Sequence, residues 1–369
     1  MQEVSFRPIV YVRGYAMTQS EVDATVDDPF YGFNVGSTHF RVNQNGGSSF
    51  FAFESPLLRL ATDYGYSDAF SGTRQTAAQI DRPARTVWIF RYYDDTSRTF
   101  DDRPGGYRLT IEEAAMRLLT FIEQIRKETG SEKVYLVAHS MGGLVCRCLM
   151  EKILREKGRE GAEAMIDKFV TFGTPHGGIE FAVGNGILER TRDWLGIKDQ
   201  DNFGRQRLYE FLTPKSGSRS VKTAKKVVFE FDPRTMREGA FSVDRVLCIV
   251  GTNARDYEVA YGLSRWSVGP QSDGLVQIEN AWVHGAHRAY VHRSHSGRYG
   301  MVNSEEGYQN LRRFLFGEVK VQTTLMDFDL AFDAVTYEGR EKAYHFEVAI
   351  AFRAFQCFCT RGRCRTSVR

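Results

Sequence analysis

KVYLVAHSMGGLV, residues Lys133 to Val145, is the stretch that decides the fold. Val134 to Val137 form an apolar, β-prone run. It leads directly into Ala138-His139-Ser140-Met141-Gly142, and apolar or small residues at helical spacing follow at Gly143, Leu144, Val145, Cys148 and Leu149. The reading is a strand, a sharp turn and a helix, with Ser140 in the turn.

The same pattern recurs on either side. Arg7 to Met17, RPIVYVRGYAM, is a β-rich run that ends at Gly14, and Arg85 to Asp94, RTVWIFRYYD, is a second, buried by Val87, Ile89 and Phe90. Thr110 to Thr129 carries Ile111, Ala114, Ala115, Leu118, Leu119, Ile122 and Ile125 at helical spacing, and Thr110 with Glu113 makes a capping box. Strand, helix, strand at this spacing implies parallel strands joined by right-handed crossovers. Further β runs follow at Lys168 to Gly178, KFVTFGTPHGG, and at Val243 to Asn253, VDRVLCIVGTN. Asn303 and Glu306 form a second capping box ahead of Leu311, Phe314 and Leu315, the expected final helix.

Three segments depart from that alternation. Asp27 to Phe70 is rich in turn residues and aromatics and longer than a simple connection, so it is expected as an insertion over the site. Ile179 to Lys226 lacks a good strand but has helical stretches, and is expected as a helical cap, either mobile or fixed on the core. From Glu318 to Arg369 apolar and polar residues alternate with period two, which predicts a small β appendage ending in a basic tail.

The 369 residues allow one large α/β domain with such additions. A formal charge of +3, without a basic block interleaved with aromatics, argues against nucleic acid as a partner. No apolar run approaches the roughly 20 residues that span a bilayer. The first residues carry an acid early, with no basic stretch and no small-residue cleavage site, so a cytoplasmic protein is the expectation. Cys146, Cys148 and Cys248 fall in apolar runs and read as small buried thiols. Cys357, Cys359 and Cys364 lack a nearby fourth ligand for zinc.

With these motifs in place, the chain resembles the α/β-hydrolase superfamily, and within it the lipases and esterases, including relatives of lecithin:cholesterol acyltransferase and inositol deacylases. The resemblance runs from about Pro8 to Phe316. It rests on the Ser140 turn, which resembles the nucleophile elbow with Ala138 at the first glycine position, on Thr174-Pro175-His176-Gly177-Gly178, and on Ser272-Asp273-Gly274-Leu275-Val276. It implies a mostly parallel sheet with helices on both faces, over residues 1–317, with the cap inserted at about 179–226. It also implies roles: Ser140 as nucleophile, Asp273 as acid, and the amides of Met141 and Tyr15 as an oxyanion hole. At that second amide the chain departs from the family, since Arg13 stands where lipases commonly have histidine before Gly14. Asp256 is the alternative acid. His176 is expected to stabilise its loop.

The base is a choice within one short loop. His292 follows the apolar run Ala289-Tyr290-Val291 and could still belong to a strand, whereas His295 lies beyond it, ahead of the final helix, where a ring can reach across strand ends. His295 is therefore preferred, with His284 and His287 placed before the strand. A serine hydroxyl needs such an imidazole to take its proton, and the imidazole needs a carboxylate to fix its tautomer. The expected activity is hydrolysis of a small-molecule or lipid ester through an acyl-enzyme, with no metal and no cofactor. Phe181, Leu188 and Trp194 of the cap are the expected acyl-binding residues, and a transient contact of the cap with a lipid interface stays open. So do two other readings: an acyltransferase with the same three residues, and an inactive hydrolase fold that serves as an interaction module.

Overall fold

Strands buried on both faces read as nearly continuous apolar runs, because side chains of alternate parity enter two separate cores. The computed structural model describes residues 6–14, 28, 30, 32–42, 47–71, 74–92, 109–159, 161–179, 205–215, 231–257, 271–297, 299–317, 344–348 and 364–368. The chain divides into two compact units, Met1–Gly317 and Glu318–Arg369. Within the second, β12 (Tyr344–Val348) and β13 (Cys364–Val368) pair antiparallel.

The first unit opens with β1 (Ile9–Val12), the hairpin β2 (Ser37–Val42) and β3 (Ser48–Phe53), and α1 (Pro56–Tyr64). Short β4 (Ser67–Asp68), β5 (Phe70–Ser71) and β6 (Arg74–Gln75) lead to β7 (Thr86–Phe90) and α2 (Ile111–Thr129). Then come β8 (Val134–His139) and α3 (Met141–Cys148), which continues through a π-helical turn, Leu149–Ile153, to Glu156. β9 (Ile166–Phe172), α4 (Arg205–Leu212), β10 (Val246–Gly251), β11 (His287–Val291) and α5 (Glu305–Phe316) complete it.

Seven strands make one sheet in the order β11-β10-β9-β8-β1-β7-β4. Every pairing in it is parallel. The chain runs outward from β1 to β4 and β7, then returns on the other side of β1 with β8, so the direction of winding reverses between β1 and β8. In open α/β sheets the crevice at the carboxyl ends of such strands is where ligands bind.

One core takes Val10, Val12, Trp88, Phe90, Leu136 and Ala138 from the sheet and packs them on α2, α3 and α4. The other takes Ile9, Tyr11, Val87, Ile89, Tyr135 and Val137 and packs them on α1 and α5. Each aliphatic side chain so buried contributes roughly 1.5–3 kcal/mol. Helix α2 has the capping box read from the sequence: Thr110 Oγ1 accepts from the Glu113 amide at 3.2 Å, and Glu113 Oε2 accepts from the Thr110 amide at 2.8 Å. Lys168 Nζ donates to the carbonyls of Phe314 and Leu315 at 2.8 and 2.9 Å, placing a cation on the last turn of α5.

Two local expectations are corrected. The residue capping α5 is Ser304, whose Oγ accepts from the Gly307 amide at 3.0 Å. Asn303 with Glu306 does not form the box, because Glu306 turns away to accept from Arg293 Nη2 at 2.8 Å and the third residue after the true cap is a glycine without a side chain. Within Asp27 to Phe70, Phe33, Phe53 and Leu60 enter the second core. His287 is the first residue of β11 and does not precede the strand.

Between α3 and the segment that enters β10 lies a buried charge cluster. Arg147 and Glu151, one helical turn apart and at most 1% exposed, pair at 2.6 Å. Arg147 also donates to the carbonyl of Pro233 at 2.6 Å and that of Thr235 at 3.3 Å, while Glu151 accepts from the Arg237 amide at 3.0 Å. Burial of both charges is compensated by these bonds, which dock residues 233–237 onto the helix.

Candidate active site

Ser140 directly follows β8 with φ 53° and ψ −129°, and among the described residues it alone combines a side chain with a positive φ. Such a backbone costs on the order of 1–3 kcal/mol and persists only where its surroundings over-determine it. Here the Ser140 amide donates to the Phe172 carbonyl at 2.8 Å, and its own carbonyl accepts from the Gly143 amide at 3.1 Å and from Thr174 Oγ1 at 2.8 Å. Gly142 lies so close to the ends of β1 that a Cβ there would run into the carbonyl oxygens of Val12 and Arg13. The glycine is required by that contact, and the turn is consequently pressed against β1.

Asp273 is 1% exposed in the loop after β10. Its Oδ1 accepts from the amides of Leu275 and Val276 at 3.0 and 2.8 Å, so the Asp-Gly-Leu-Val sequence wraps the carboxylate in its own backbone. Oδ2 is left to face His295, whose Nδ1 lies 2.8 Å away. The carboxylate can only accept, so Nδ1 carries the proton and, in the neutral ring, Nε2 is bare. Ser140 Oγ lies 2.9 Å from Nε2 and donates to it. His295 is 3% exposed and Ser140 5%. This order of contacts is what proton abstraction from a hydroxyl requires.

The structure thus brings together Ser140, Asp273 and His295. The amide of Met141 is at the first turn of α3, where amide hydrogens and the helix dipole favour a developing negative charge. Tyr15, Phe181, Leu188 and Trp194 lie outside the described residues, as does most of the expected cap; α4 falls within that segment. Arg13 is buried at the end of β1, and its carbonyl accepts from the Tyr92 hydroxyl at 3.0 Å.

The competing residues fall elsewhere. Asp256 accepts from Asn253 Nδ2 at 2.6 Å, and His292 is exposed with Nδ1 3.4 Å from Thr252 Oγ1. His284 Nε2 is 2.9 Å from Asp232 Oδ2. His176 is fully buried beside Thr171, 3.2 Å from its Oγ1, and burial, then the Arg147 charge, pushes its pKa well down. Cys146, Cys148 and Cys248 are buried free thiols whose burial pushes their pKa values up. Among the described residues no group of His, Cys, Asp and Glu could hold a metal ion, and no helix is long and apolar enough to cross a membrane.

Several residues around the site carried no assigned role from the sequence. Thr174 opens the Thr174-Pro175-His176-Gly177-Gly178 motif, but its bond to Ser140 spans 34 residues and has no spacing signal. Gly173, with φ +55°, lies where a Cβ would come within 2.9 Å of Asp273 Oδ2 and 3.0 Å of both His295 Nδ1 and Met301 Cε. Met301 is fully buried, and its Cε borders the same space beside Gly173 that Asp273 Oδ2 and His295 Nδ1 border.

Residues 89–192, which include the Ser140 turn, match the family model described as "Putative serine esterase (DUF676)". Over 82 residues the chain is 34% identical to a triacylglycerol lipase of Pseudarthrobacter phenanthrenivorans, covering 22% of this chain and 21% of that one. It is likewise 34% identical over 82 residues to a triacylglycerol lipase of Burkholderia plantarii, covering 22% and 18%. The chain therefore spans about a fifth of the length of the curated relatives it matches. The mature form of Bacillus licheniformis lipase BlEst2 is similar at 14% identity and a TM-score of 0.41, over 85% of this chain and 92% of that one. The strained serine between β8 and α3 thus lies in a segment similar to the putative serine esterase family model, within a parallel sheet flanked by helices.

Proposed function

We propose that the protein is a serine hydrolase of carboxylic esters, acting through an acyl-enzyme on Ser140. The observation that carries this reading is the continuous hydrogen-bonded path from Ser140 Oγ through His295 to Asp273, at 2.9 and 2.8 Å. His295 Nε2 takes the serine proton as Oγ attacks the ester carbonyl, and Asp273 stabilises the imidazolium that forms. The tetrahedral oxygen is held by the Met141 amide, together with the Tyr15 amide, which the resemblance assigns. Collapse expels the alcohol, which takes its proton from Nε2. Water then attacks the acyl-enzyme, with His295 as base again, and releases the acid.

Phe181, Leu188 and Trp194 would form the acyl-binding wall of a cap at about 179–226, since an ester chain must bury apolar area to leave water at roughly 25 cal/mol per Å². The same apolar residues would make a transient contact with a lipid interface. The test is a panel of aryl esters and glycerides of graded chain length, comparing wild type with Ser140→Ala, with and without added alcohol. Acid release by wild type alone supports the reading. Ester formation with the alcohol in preference to acid would make the protein an acyltransferase, and turnover that survives in Ser140→Ala would overturn the assignment.

A further inference from the structure

His139, the residue before the nucleophile, has no role in the chemistry above, yet its ring lies against the base. Its Nε2 is 2.9 Å from the main-chain carbonyl oxygen of His295, and the two imidazoles face each other with centroids 4.9 Å apart at 43°. On its other side the ring reaches the end of β1, where a Cβ on Gly14 would come within 2.9 Å of Nδ1 and 2.8 Å of Ser140 Cβ. A single side chain therefore fills the space between the turn after β1 and the loop that carries the base.

His295 is engaged at every polar group it has. Its amide donates to the Asp273 carbonyl at 2.9 Å, its Nδ1 to the Asp273 carboxylate, and its Nε2 accepts from Ser140. The fourth group, the carbonyl, faces Nε2 of His139. A carbonyl can only accept, so the partner must be the Nε2–H tautomer of His139. We propose that His139 is a positioning residue: its Nε2–H holds the His295 carbonyl and so ties the base loop to the strand that ends in the nucleophile.

The ring suits this task because it stays neutral beside the base. Burial, and secondarily the neighbouring His295, push its pKa down to about 3, whereas the bond to the carbonyl acts in the opposite sense. A neutral His139 keeps a bare Nδ1 and a single donor, and it neither competes for the serine proton nor adds a positive charge next to the imidazolium. It acts only through the placement of His295. Displacement of a reacting group by about 1 Å can cost on the order of a hundredfold in rate.

This inference rests on Ser140 and His295 being nucleophile and base, so the experiment has one arm that depends on turnover and one that does not. In the first arm, His139→Leu, which fills the space without a donor, is compared with His139→Gln, which keeps an N–H able to reach the carbonyl. The expected result is a fall in kcat of about 10- to 100-fold for Leu with KM within about twofold of wild type, and recovery of most of the loss in Gln. Turnover by Leu within about threefold of wild type would overturn the proposal. So would equal losses in Leu and Gln, which would mean that packing alone matters. In the second arm, nitrogen-15 histidine NMR of the wild-type protein reads the tautomer of His139 directly. An Nε2–H tautomer is expected, and an Nδ1–H tautomer overturns the proposal whether or not the substitutions fold. Absence of any ester turnover or serine labelling in wild type would count against the hydrolase reading, while the tautomer would still decide the contact.

Discussion

Thr174 Oγ1 donates a hydrogen bond of 2.8 Å to the carbonyl oxygen of Ser140, so the loop after β9 secures the strained backbone of Ser140. Thr174 is fully buried, and its side chain also occupies the space that a Cβ on Gly143 would need. Both contacts press the first turn of α3 into place. Replacing Thr174 by Val keeps the shape and removes the donor, leaving the carbonyl only the Gly143 amide at 3.1 Å. The expected outcome is a loss of about 1–3 kcal/mol in unfolding free energy and a fall in ester turnover of about tenfold, both largely restored in Thr174→Ser. Equal behaviour of the Val and Ser variants in denaturant melts and turnover would show that the hydroxyl is idle.

What the sequence made legible was local. Helix α2 was readable from a capping box and seven apolar positions because cap and stripe act within a few residues of one another. The strained turn at Ser140 was readable because small residues at Ala138 and Gly142 flank it closely. Contacts between loops were not. His139 meets the His295 carbonyl across 156 residues, and no periodicity records which polar groups meet when two strand ends converge. The cap of α5 was misplaced by one residue because Asn303 and Ser304 are both good caps, and only the packing of Gly307 under Met301 selects between them. The Arg147 and Glu151 pair had the right helical spacing, but its burial depends on residues 233–237 folding over it.

Gly173 tests how tightly Asp273 and His295 are packed. Its φ of +55° is one that a residue with a Cβ adopts at a cost of roughly 1–2 kcal/mol, and the added carbon would push between Asp273 Oδ2, His295 Nδ1 and Met301. Gly173→Ala should lower turnover by more than tenfold, about 1.4 kcal/mol in barrier, through displacement of the imidazole. Unchanged kcat in a variant that loses stability would place the strain away from the base.

The buried pair on α3 predicts a non-additive double mutant. Arg147→Met strands Glu151 without its cation and should cost about 3–5 kcal/mol, whereas Arg147→Met with Glu151→Leu should recover most of that loss. Chemical denaturation of wild type, Arg147→Met, Glu151→Leu and the double variant measures it. Additive losses would mean that the carbonyls of Pro233 and Thr235, and not the ion pair, dominate.

Acid stability should report the neutral histidines. Burial pushes both His176 and His139 below the ordinary value of about 6.5, with the Arg147 charge second for His176 and His295 second for His139. A folded-state pKa lower than the unfolded one means that the unfolded chain binds more protons once pH falls below about 6.5, so the stability present above that pH is lost on the way down. Thermal melts between about pH 6.5 and pH 4 should show a steeper fall in Tm for wild type than for His139→Gln. Parallel curves would mean that His139 titrates alike in both states.

The most direct test of the central claim, that His295 activates Ser140 as a nucleophile, is the rate and position of labelling by a fluorophosphonate, followed by intact mass and peptide mapping. One adduct per chain is expected, on the peptide that contains Ser140, with none in Ser140→Ala and a rate lowered by several orders of magnitude in His295→Ala although the protein remains folded. Labelling at another residue, or at an undiminished rate in His295→Ala, would contradict the claim.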